Sequence, residues 1–520
     1  MEIYVVERGE WISGAYPPYA TLTSDRWNDY GYVTMFQLAV IDTADRVHEI
    51  GNVKIAKVGQ SLDDNVTRDF LGHRFSQLSE EFVSLGQEYS YYEAISILPI
   101  EIYADVLGAL QDAVWLPFKA GQFDNQHVWH TSLLRFGSAA VALKDARNLL
   151  LANVSRENSG LRQVIFRTSA GGNEFDLRCN FGHDQYLTSR INAIIGYNGS
   201  GKTGILSRLA VTARSDKRHR DSLGFVGENG VFVGKDPQFS STIMVSYSAF
   251  DTFTLPEDLG EQERTLAERQ GMVFGYSYCG LRMPTRGSGA EHQEERHKNS
   301  RELRTDFVVG LARIKSLRRT ELLAMCLEPL AVEPSFSRIT DVNSLSELDA
   351  DELETFFDGL STGHKITLSI VVHLVLRLQP RSLVLIDEPE AHLHPSLLAA
   401  MLKSLSALLE AFDSYCVVAT HSPVVLQEIP AYCVSVLQRA GNKTTVRHPM
   451  IETFGENVGV ITSSVFHLDG SATDFHAKLD ELSAIRSESE VEAMFPAGMS
   501  PGAKSYYLSR RGGDSALPRF

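Results

Sequence analysis

The sequence has 520 residues, of which 43% are hydrophobic and 22% charged, and its formal net charge at pH 7 is −16. This length predicts two or three domains with separate cores rather than one. The acidic charge argues against a surface that coats nucleic acid indiscriminately, although contact through a local basic groove stays open. No apolar run is long enough for a transmembrane helix, the first residues lack the order of a signal peptide, and the five cysteines are scattered. We therefore expect a cytoplasmic protein without a membrane partner, disulfides or a zinc site.

The first 155 residues contain no motif to which a chemistry can be assigned. Strand-like runs occur at Tyr32–Ile41 and Val53–Val58, and the aromatic-rich stretch from Phe75 to Leu150 is typical of helices. We predict an N-terminal α+β accessory domain over residues 1–155, whose role the residues do not reveal. A polar stretch at 155–160 marks its end.

The most informative stretch is Arg190–Thr203, in which a short apolar strand leads into a glycine-rich loop and then into helix-forming residues. Its loop and first helical residues match the P-loop pattern G-x-x-x-x-G-K-[ST]. Glycines let backbone N–H groups turn inward around phosphates, and the helix N-terminus adds partial positive charge. Lys202 is expected to reach the β- and γ-phosphates of ATP, and Thr203 to ligate Mg²⁺. The predicted nucleotide contacts in this loop are Gly196, Asn198, Gly199, Ser200, Gly201, Lys202 and Thr203.

Two later apolar strands end in residues suited to hydrolysis. Leu383–Ile386 is followed by Asp387 and Glu388, of which the first is expected to hold Mg²⁺ together with Thr203 and the second to act as general base on water. Cys416–Ala419 is followed by Thr420 and His421, and that histidine could hydrogen-bond the γ-phosphate. The predicted catalytic residues are therefore Glu388, His421 and Lys202.

Taken in order, these segments resemble the motifs of ABC-type ATPases over about residues 160–440. Gly196–Thr203 resembles the Walker A motif, Leu360–His364 the LSGGQ signature, Leu383–Glu388 the Walker B motif with its catalytic glutamate, and His421 the switch histidine. The resemblance implies an α/β fold with an ABC-type P-loop ATPase head at 156–440 and a helical lid insertion at about 252–340.

Within that superfamily, the stretches DEPEAHLHP at 387–395 and THSP at 420–423 resemble the RecF/SMC/OLD-like branch. The likeness extends to the stand-alone ATPases of antiphage defence systems such as Septu, PARIS and some retrons. It implies a homodimer or higher oligomer in which Ser361 and Gly363 of one chain cap the ATP on the P-loop of the other. It also implies that the protein hydrolyses ATP, is not itself a nuclease, and controls a separate effector, which is expected to be a nuclease.

The sequence departs from the family pattern in three places. The signature has Thr362 and His364 where glycine and glutamine are usual, and no glutamine follows the strand Ser241–Tyr247. We place the corresponding Q-loop near Ser246–Ser248. His392 and His394 are read as residues that support the site or contact a dimer partner rather than as a second metal site.

Two alternative functions stay open at this stage. The first is a RecF-like DNA-binding ATPase of DNA repair, which would use a basic cluster on one helix made of Arg313, Lys315, Arg318 and Arg319. The second is the energy subunit of a transporter, against which the missing Q-loop glutamine and the extra N-terminal domain both speak. We expect residues 441–497 to form a C-terminal extension and residues 498–520 to be a disordered tail.

Overall fold

The computed structural model describes the chain apart from residues 8, 11, 13, 152–160, 171, 184–187, 216–219, 221–226, 249–250, 252, 254, 256–274, 284–295, 338–344, 346–347, 467–474 and 512–520. The polar boundary predicted at 155–160 lies outside the described residues. The chain divides into two compact units, Met1–Glu456 and Asn457–Phe520. In the part of the chain that the structure describes, no helix combines the length and apolarity that a membrane crossing requires.

The N-terminal region is built on a six-stranded sheet with the strand order β5-β1-β2-β3-β4-β6. Its strands are β1 (Glu2–Val6), β2 (Tyr19–Ser24), β3 (Met35–Ile41), β4 (Val47–Lys57), β5 (Arg74–Phe75) and β6 (Phe82–Gly86). Only the β1–β2 pair is parallel. The two strands expected from the sequence correspond to β3 and β4.

Helices follow this sheet, as the aromatic-rich stretch predicted. They are α1 (Tyr89–Ser96), α2 (Ile100–Ala109), α3 (Phe118–Phe123) and α4 (Gly137–Leu150), with a π-helical turn at Trp129–Leu133 and an earlier 3-10 turn at Thr67–Phe70. Tyr91, Tyr92 and Trp129 are almost completely buried between the helices and the sheet. The region therefore has a hydrophobic core of its own, although it belongs to the same compact unit as the following residues.

The part of the chain that carries the predicted ATPase motifs, residues 161–447, is called the ATPase region. It is organised around a seven-stranded sheet in the order β14-β13-β17-β18-β11-β19-β20. Its strands are β11 (Ile191–Gly196), β13 (Thr242–Ser246), β14 (Tyr276–Gly280), β17 (Leu383–Asp387), β18 (Tyr415–Thr420), β19 (Val434–Ala440) and β20 (Lys443–Arg447). All neighbours are parallel except β19 and β20. Every residue of β11, β13, β17 and β18 is buried, which explains why these strands are continuous apolar runs.

Smaller sheets accompany this one. Strands β7 (Gln163–Ala170), β8 (Asn173–Asn180) and β12 (Val231–Phe232) form an antiparallel sheet, and β9 (Gly182–His183) pairs with β10 (Thr188–Ser189) and β15 (Arg282–Met283) with β16 (Arg296–His297). Phe166 and Leu177 of the three-stranded sheet share a core with Leu385 and Val417 of the seven-stranded one. The ATPase domain was expected to end at residue 440, but β20 extends its sheet to Arg447.

The helices of the ATPase region are α5 (Lys202–Arg214), α6 (Ser300–Ser316), α7 (Thr320–Ala331), α8 (Ala350–Asp358), α9 (Thr362–Arg377), α10 (Pro395–Ala411) and α11 (Pro423–Gln427), with 3-10 turns at Pro389–His392 and Ala431–Cys433. Helix α6 packs against α9, and α7 against α10. Both α6 and α7 lie in the expected lid, but much of that insertion falls outside the described residues, and its action as a lid stays a prediction.

The predicted basic cluster does not lie on one helix. Helix α6 ends at Ser316, Arg318 has a left-handed backbone with φ +55°, and Arg319 is buried. The guanidinium of Arg319 donates to Glu93 of the N-terminal region at 2.5 Å and to the carbonyl oxygen of Val375 at 2.6 Å. Arg319 therefore joins the two regions and is not available to DNA, whereas Arg313 and Lys315 are exposed.

The second compact unit contains α12 (Val458–Phe466), α13 (Phe475–Ile485), α14 (Glu488–Glu492) and α15 (Pro501–Arg511). A disordered tail was expected from residue 498, whereas α15 is helical up to Arg511. Two adjacent tyrosines explain the difference, because Tyr506 bonds Asp480 at 3.1 Å and the buried Tyr507 bonds the carbonyl oxygen of Arg486 at 2.8 Å. Composition alone did not reveal these anchors. Residues 512–520 lie outside the described part of the chain.

Candidate nucleotide-binding site

The glycine-rich loop joins the buried strand β11 to helix α5, as the sequence predicted. Gly201 caps α5 in a left-handed conformation, φ +99°, which favours glycine. At Gly196 a Cβ atom would lie 2.6 Å from Ser200 Oγ and 2.8 Å from the carbonyl oxygen of Leu437, so only glycine fits there. The loop geometry thus depends on two glycines of the motif, and it leaves the first N–H groups of a 13-residue helix facing the loop.

Sheet topology brings motifs that are far apart in sequence to one edge. Strands β13, β17, β18 and β11 are parallel neighbours, and Ser246 pairs with Asp387, Asp387 with Ala419, and Ile194 with Ala419. Their carboxyl ends therefore open at the same edge of the sheet, where ligands of open α/β folds bind. The P-loop, the acidic pair and His421 all leave the sheet there.

Thr203 and Asp387 meet directly, as the predicted metal site requires. Thr203 Oγ1 donates to Asp387 Oδ2 at 2.9 Å, and Asp387 is 5% exposed. Burial raises the pKa of the Asp387 carboxyl to about 6, with the Thr203 hydrogen bond opposing the shift. The second oxygen, Oδ1, is buried without a hydrogen-bond partner.

A buried carboxylate oxygen with no partner beside a threonine hydroxyl is a donor set that suits Mg²⁺. This ion binds proteins through one or two such oxygens and keeps water and phosphate as its other ligands. Thr203 and Asp387 would therefore hold Mg²⁺, which when bound would neutralise charge on the nucleotide phosphates.

Glu388 has a backbone conformation rare for its residue type. Its φ and ψ are 47° and 58°, in the left-handed region, and its N–H donates to the carbonyl oxygen of Ala419 at 2.8 Å. Such a conformation costs about 1–3 kcal/mol and is found where surrounding structure enforces it, often at functional sites. The side chain is 40% exposed, so its carboxylate is accessible to water as a general base must be.

Lys202 and His421 are in contact beside this carboxylate. Lys202 Nζ donates to the carbonyl oxygen of Gly196 at 3.2 Å and lies 2.5 Å from His421 Nε2, which in turn lies 3.3 Å from Glu388 Oε1. Burial lowers the pKa of His421, and the ammonium of Lys202 lowers it further, against the opposing effect of Glu388 and Glu390. Burial also lowers the pKa of Lys202, while the neighbouring carboxylates raise it.

Two supporting residues were not identified from the sequence. Glu390 Oε1 accepts a hydrogen bond from the backbone N–H of His421 at 2.5 Å, and Arg439 on β19 donates to the carbonyl oxygen of Gly199 at 3.2 Å. Glu390 lies within the DEPEAHLHP stretch, so its proximity to the acidic pair was a usable signal. Arg439 had no local signal, because it reaches the P-loop only through the pairing of β19 with β11.

The signature residues lie at the start of helix α9. Ser361 caps helix α9, its Oγ accepting from the N–H of His364 at 3.4 Å, and Ser361 and Gly363 line a cavity of about 460 Å³ with Glu333 and His394. His364, which stands where the family pattern has glutamine, is buried. Its Nε2 lies 2.9 Å from Ser335 Oγ, and its ring packs on Phe336. Its side chain therefore has a packing role, whereas Ser361 and Thr362 of the signature are exposed.

His392 connects this cavity to the segment expected to hold the Q-loop. His392 lines the cavity, and its Nε2 lies 3.1 Å from the carbonyl oxygen of Tyr247. Ser246 ends β13 directly opposite Asp387, so the following residues leave the sheet beside the predicted metal site.

The Nδ1 atom of His394 lies 3.0 Å from the hydroxyl of Ser396. Among the described residues, no group of three or more His, Cys, Asp or Glu side chains is arranged to hold a metal ion.

Comparison with known proteins finds one family model and a curated relative that match this chain. Residues 295–427 match the family model described as "AAA domain, putative AbiEii toxin, Type IV TA system", a range that holds the signature, the acidic pair and His421. The chain is 33% identical over 512 residues to protein ea59 of Escherichia phage lambda, and the match covers 92% of each chain.

Solved structures with partial likeness include UvrA2 from Deinococcus radiodurans, which is 15% identical in sequence and has a TM-score of 0.28. The match covers 58% of this chain and 39% of the UvrA2 chain. An ATP-binding cassette of an ABC transporter in its ADP conformation is 13% identical with a TM-score of 0.28 over 58% of this chain and 96% of its own. The sequence match to ea59 is the strongest of these findings. The chain belongs to the family of phage lambda protein ea59, and its residues 295–427 match an AAA-domain model.

Proposed function

We propose that this protein binds and hydrolyses ATP, dimerises on ATP, and uses this cycle to control a separate effector, with a nuclease as the candidate, in antiphage defence. The observation that carries the ATPase part is the convergence of Lys202, Thr203, Asp387, Glu388 and His421 at one edge of the sheet. No two of the three segments that supply these residues are adjacent in sequence.

The side chains divide the work of hydrolysis among themselves. Lys202 and the loop N–H groups bind the phosphates and neutralise charge that grows on them during transfer. The exposed carboxylate of Glu388 takes a proton from the attacking water. His421, whose lowered pKa favours the neutral ring, offers one N–H donor to the γ-phosphate once Lys202 binds that phosphate instead.

Dimerisation is proposed because the signature lies in a different part of the chain from the P-loop. At the start of α9, directly after the Ser361 cap, Thr362 is exposed and Gly363 is half-buried, so this helix N-terminus is open to a phosphate. In a head-to-tail pair, the N-terminus of α9 in one chain would complete the nucleotide site of the other. ATP would then stabilise the dimer by contacting both chains.

The biological part of the proposal draws on the names of the matching proteins. The description of the family model names a toxin of a toxin–antitoxin system, and the relative ea59 is a phage protein. Both names are consistent with a role in conflict between phages and their hosts or competitors. An ATPase of this kind would restrain or release its effector according to its nucleotide state.

A mixing experiment tests the shared site. Ser361→Arg blocks the signature and Lys202→Ala removes the phosphate contact, so each variant alone should lose ATPase activity. Mixed chains form one site with both defects and one intact site, and the mixture should recover part of the activity. Ser463→Arg, which places the same charge on the exposed face of α12, is the control. Wild-type activity of Ser361→Arg alone would overturn the shared site.

The effector is tested by purifying the wild-type chain with the products of neighbouring genes. We expect nucleic-acid cleavage only by the reconstituted pair, and we expect Lys202→Ala to change it. Mg²⁺-dependent cleavage by the single chain, abolished by changes outside the ATP site, would overturn the separate effector.

A further inference from the structure

A cleft of about 440 Å³ is lined by residues of both the N-terminal region and the ATPase region. Its walls include Tyr30 and residues 134–138 on one side, and Arg214, Arg220 and Phe239 on the other. Arg214 is the last residue of α5, whose first residue is Lys202. The cleft therefore lies at the opposite end of the P-loop helix from the phosphate site, about 20 Å away at 1.5 Å per residue.

Arginine side chains outnumber carboxylates among the described residues that line the cleft. Three guanidinium groups, those of Arg135, Arg214 and Arg220, line the cleft together with one carboxylate, Asp236. Arg220 pairs with Asp236 at 2.5 Å, and Arg135 donates to the buried Asp29 at 2.9 Å. Such a lining favours an anion, and arginine suits phosphate because its planar donors match the phosphate oxygens.

The N-terminus of the 14-residue helix α4 opens into the same cleft. Its capping residue, Phe136, offers no side-chain acceptor, and Gly137 and Ser138 line the wall. A Cβ atom on Gly137 would lie 2.4 Å from the carbonyl oxygen of Phe239, so glycine is required and the helix start is fixed against the ATPase region. Ser138 is 2% exposed, and its hydroxyl has no hydrogen-bond partner. A buried hydroxyl without a partner at a helix N-terminus is an unsatisfied donor beside an anion-binding position.

Aromatic surface completes the lining. Tyr30 is 42% exposed, and the Arg135 guanidinium stacks 4.6 Å from its ring centre and 4.9 Å from that of Phe136. Aromatic and guanidinium planes are the surfaces on which nucleobases stack. The volume lies within the range of small-molecule sites and suits one nucleotide better than a strand.

We propose that this cleft is a second nucleotide site that takes a single nucleoside monophosphate. The base would stack at Tyr30, and the phosphate would lie at the N-terminus of α4 with Arg214, Arg220 and the Ser138 hydroxyl as donors. Arg220 would exchange Asp236 for the phosphate. The site is separate from the P-loop and does not depend on the proposed effector.

The test measures binding by calorimetry to the full chain, with the P-loop saturated by a non-hydrolysable ATP analogue and Mg²⁺. AMP, GMP, CMP and UMP are the probes, and we expect at least one to bind at one further site per chain. Arg220→Glu should weaken that binding by about tenfold or more, since it replaces a charge-assisted contact by repulsion. Ala140→Trp, which fills the cleft without changing its charge, should abolish it.

Each variant must still bind the ATP analogue, which shows that the ATPase region is folded. Arg301→Glu, an exposed arginine on α6 outside the cleft, is the matched control and should bind the monophosphate as the wild type does. The proposal is overturned if no monophosphate binds to the saturated wild type at millimolar concentration, or if Ala140→Trp binds it unchanged. Binding of a single-stranded oligonucleotide without any mononucleotide would also overturn it.

Discussion

The Lys202 ammonium lies 2.5 Å from His421 Nε2, so the P-loop lysine and the histidine after β18 contact each other directly. Glu388 Oε1 lies 3.3 Å from the same nitrogen. One imidazole nitrogen cannot accept from Lys202 and donate to Glu388 at the same time. A phosphate that draws the ammonium away would leave Nε2 able to donate, so the contact couples nucleotide binding to the state of the histidine.

The first prediction follows from that contact. His421→Gln should bind ATP nearly as the wild type does but hydrolyse it about 10²-fold more slowly, because one donor to the transferring phosphate is lost or misplaced. Binding by nucleotide titration and single-turnover hydrolysis separate the two effects. Equal hydrolysis rates in variant and wild type would contradict a role for His421.

The second prediction concerns the general base. Glu388→Gln should lower kcat by about 10²-fold or more while ATP binding persists, because the amide cannot take a proton from water but leaves the P-loop contacts in place. An ATP-bound dimer should accumulate and be seen by light scattering. Glu410→Gln, at an exposed position on α10, is the control and should behave as the wild type.

The third prediction tests Glu390 as a positioning residue. Its carboxylate holds the backbone N–H of His421, so Glu390→Ala should lower kcat with little change in KM. Glu390→Gln retains an acceptor and should recover most of the rate. If both variants lost only thermal stability and kept the wild-type kcat, Glu390 would be a structural residue alone.

The fourth prediction uses the raised pKa of Asp387. The folded-state pKa of about 6 exceeds the ordinary value of 3.8, so the folded protein binds its proton more tightly than the unfolded chain. The free energy of unfolding therefore falls as pH rises between about 4 and 6. At neutral pH the ionised Asp387 carboxylate destabilises the fold by its full amount.

Asp387→Asn removes this cost, so at pH 7 and without nucleotide it should raise the unfolding free energy by up to about 3 kcal/mol. At pH 4 it should change little. The same variant should lose Mg²⁺-dependent nucleotide binding, because the charged ligand is gone. Denaturant unfolding at the two pH values measures the change in unfolding free energy. A variant less stable than the wild type at pH 7 would show that the ionised carboxylate does not destabilise the nucleotide-free fold.

The sequence by itself determined the local parts of this protein. The loop from Gly196 to Thr203 needs glycine for its backbone, and the buried strands that carry Ile194, Asp387 and Ala419 are visible as apolar runs, because both of their faces are covered. These features depend on neighbours along the chain, so the P-loop and the acidic pair could be predicted from the residues alone.

Only the tertiary structure decided the contacts between segments distant in sequence. Glu390 holds His421, Arg439 supports the P-loop, and Arg319 is buried against Glu93 instead of forming a DNA-binding surface. None of these pairs has a local signal, because each forms only where strand order or regional packing places its two members together. The same reason explains why the cleft at Ser138 and Arg214 could not be predicted. Its walls come from two regions of the chain, and the sequence does not show how these regions pack against each other.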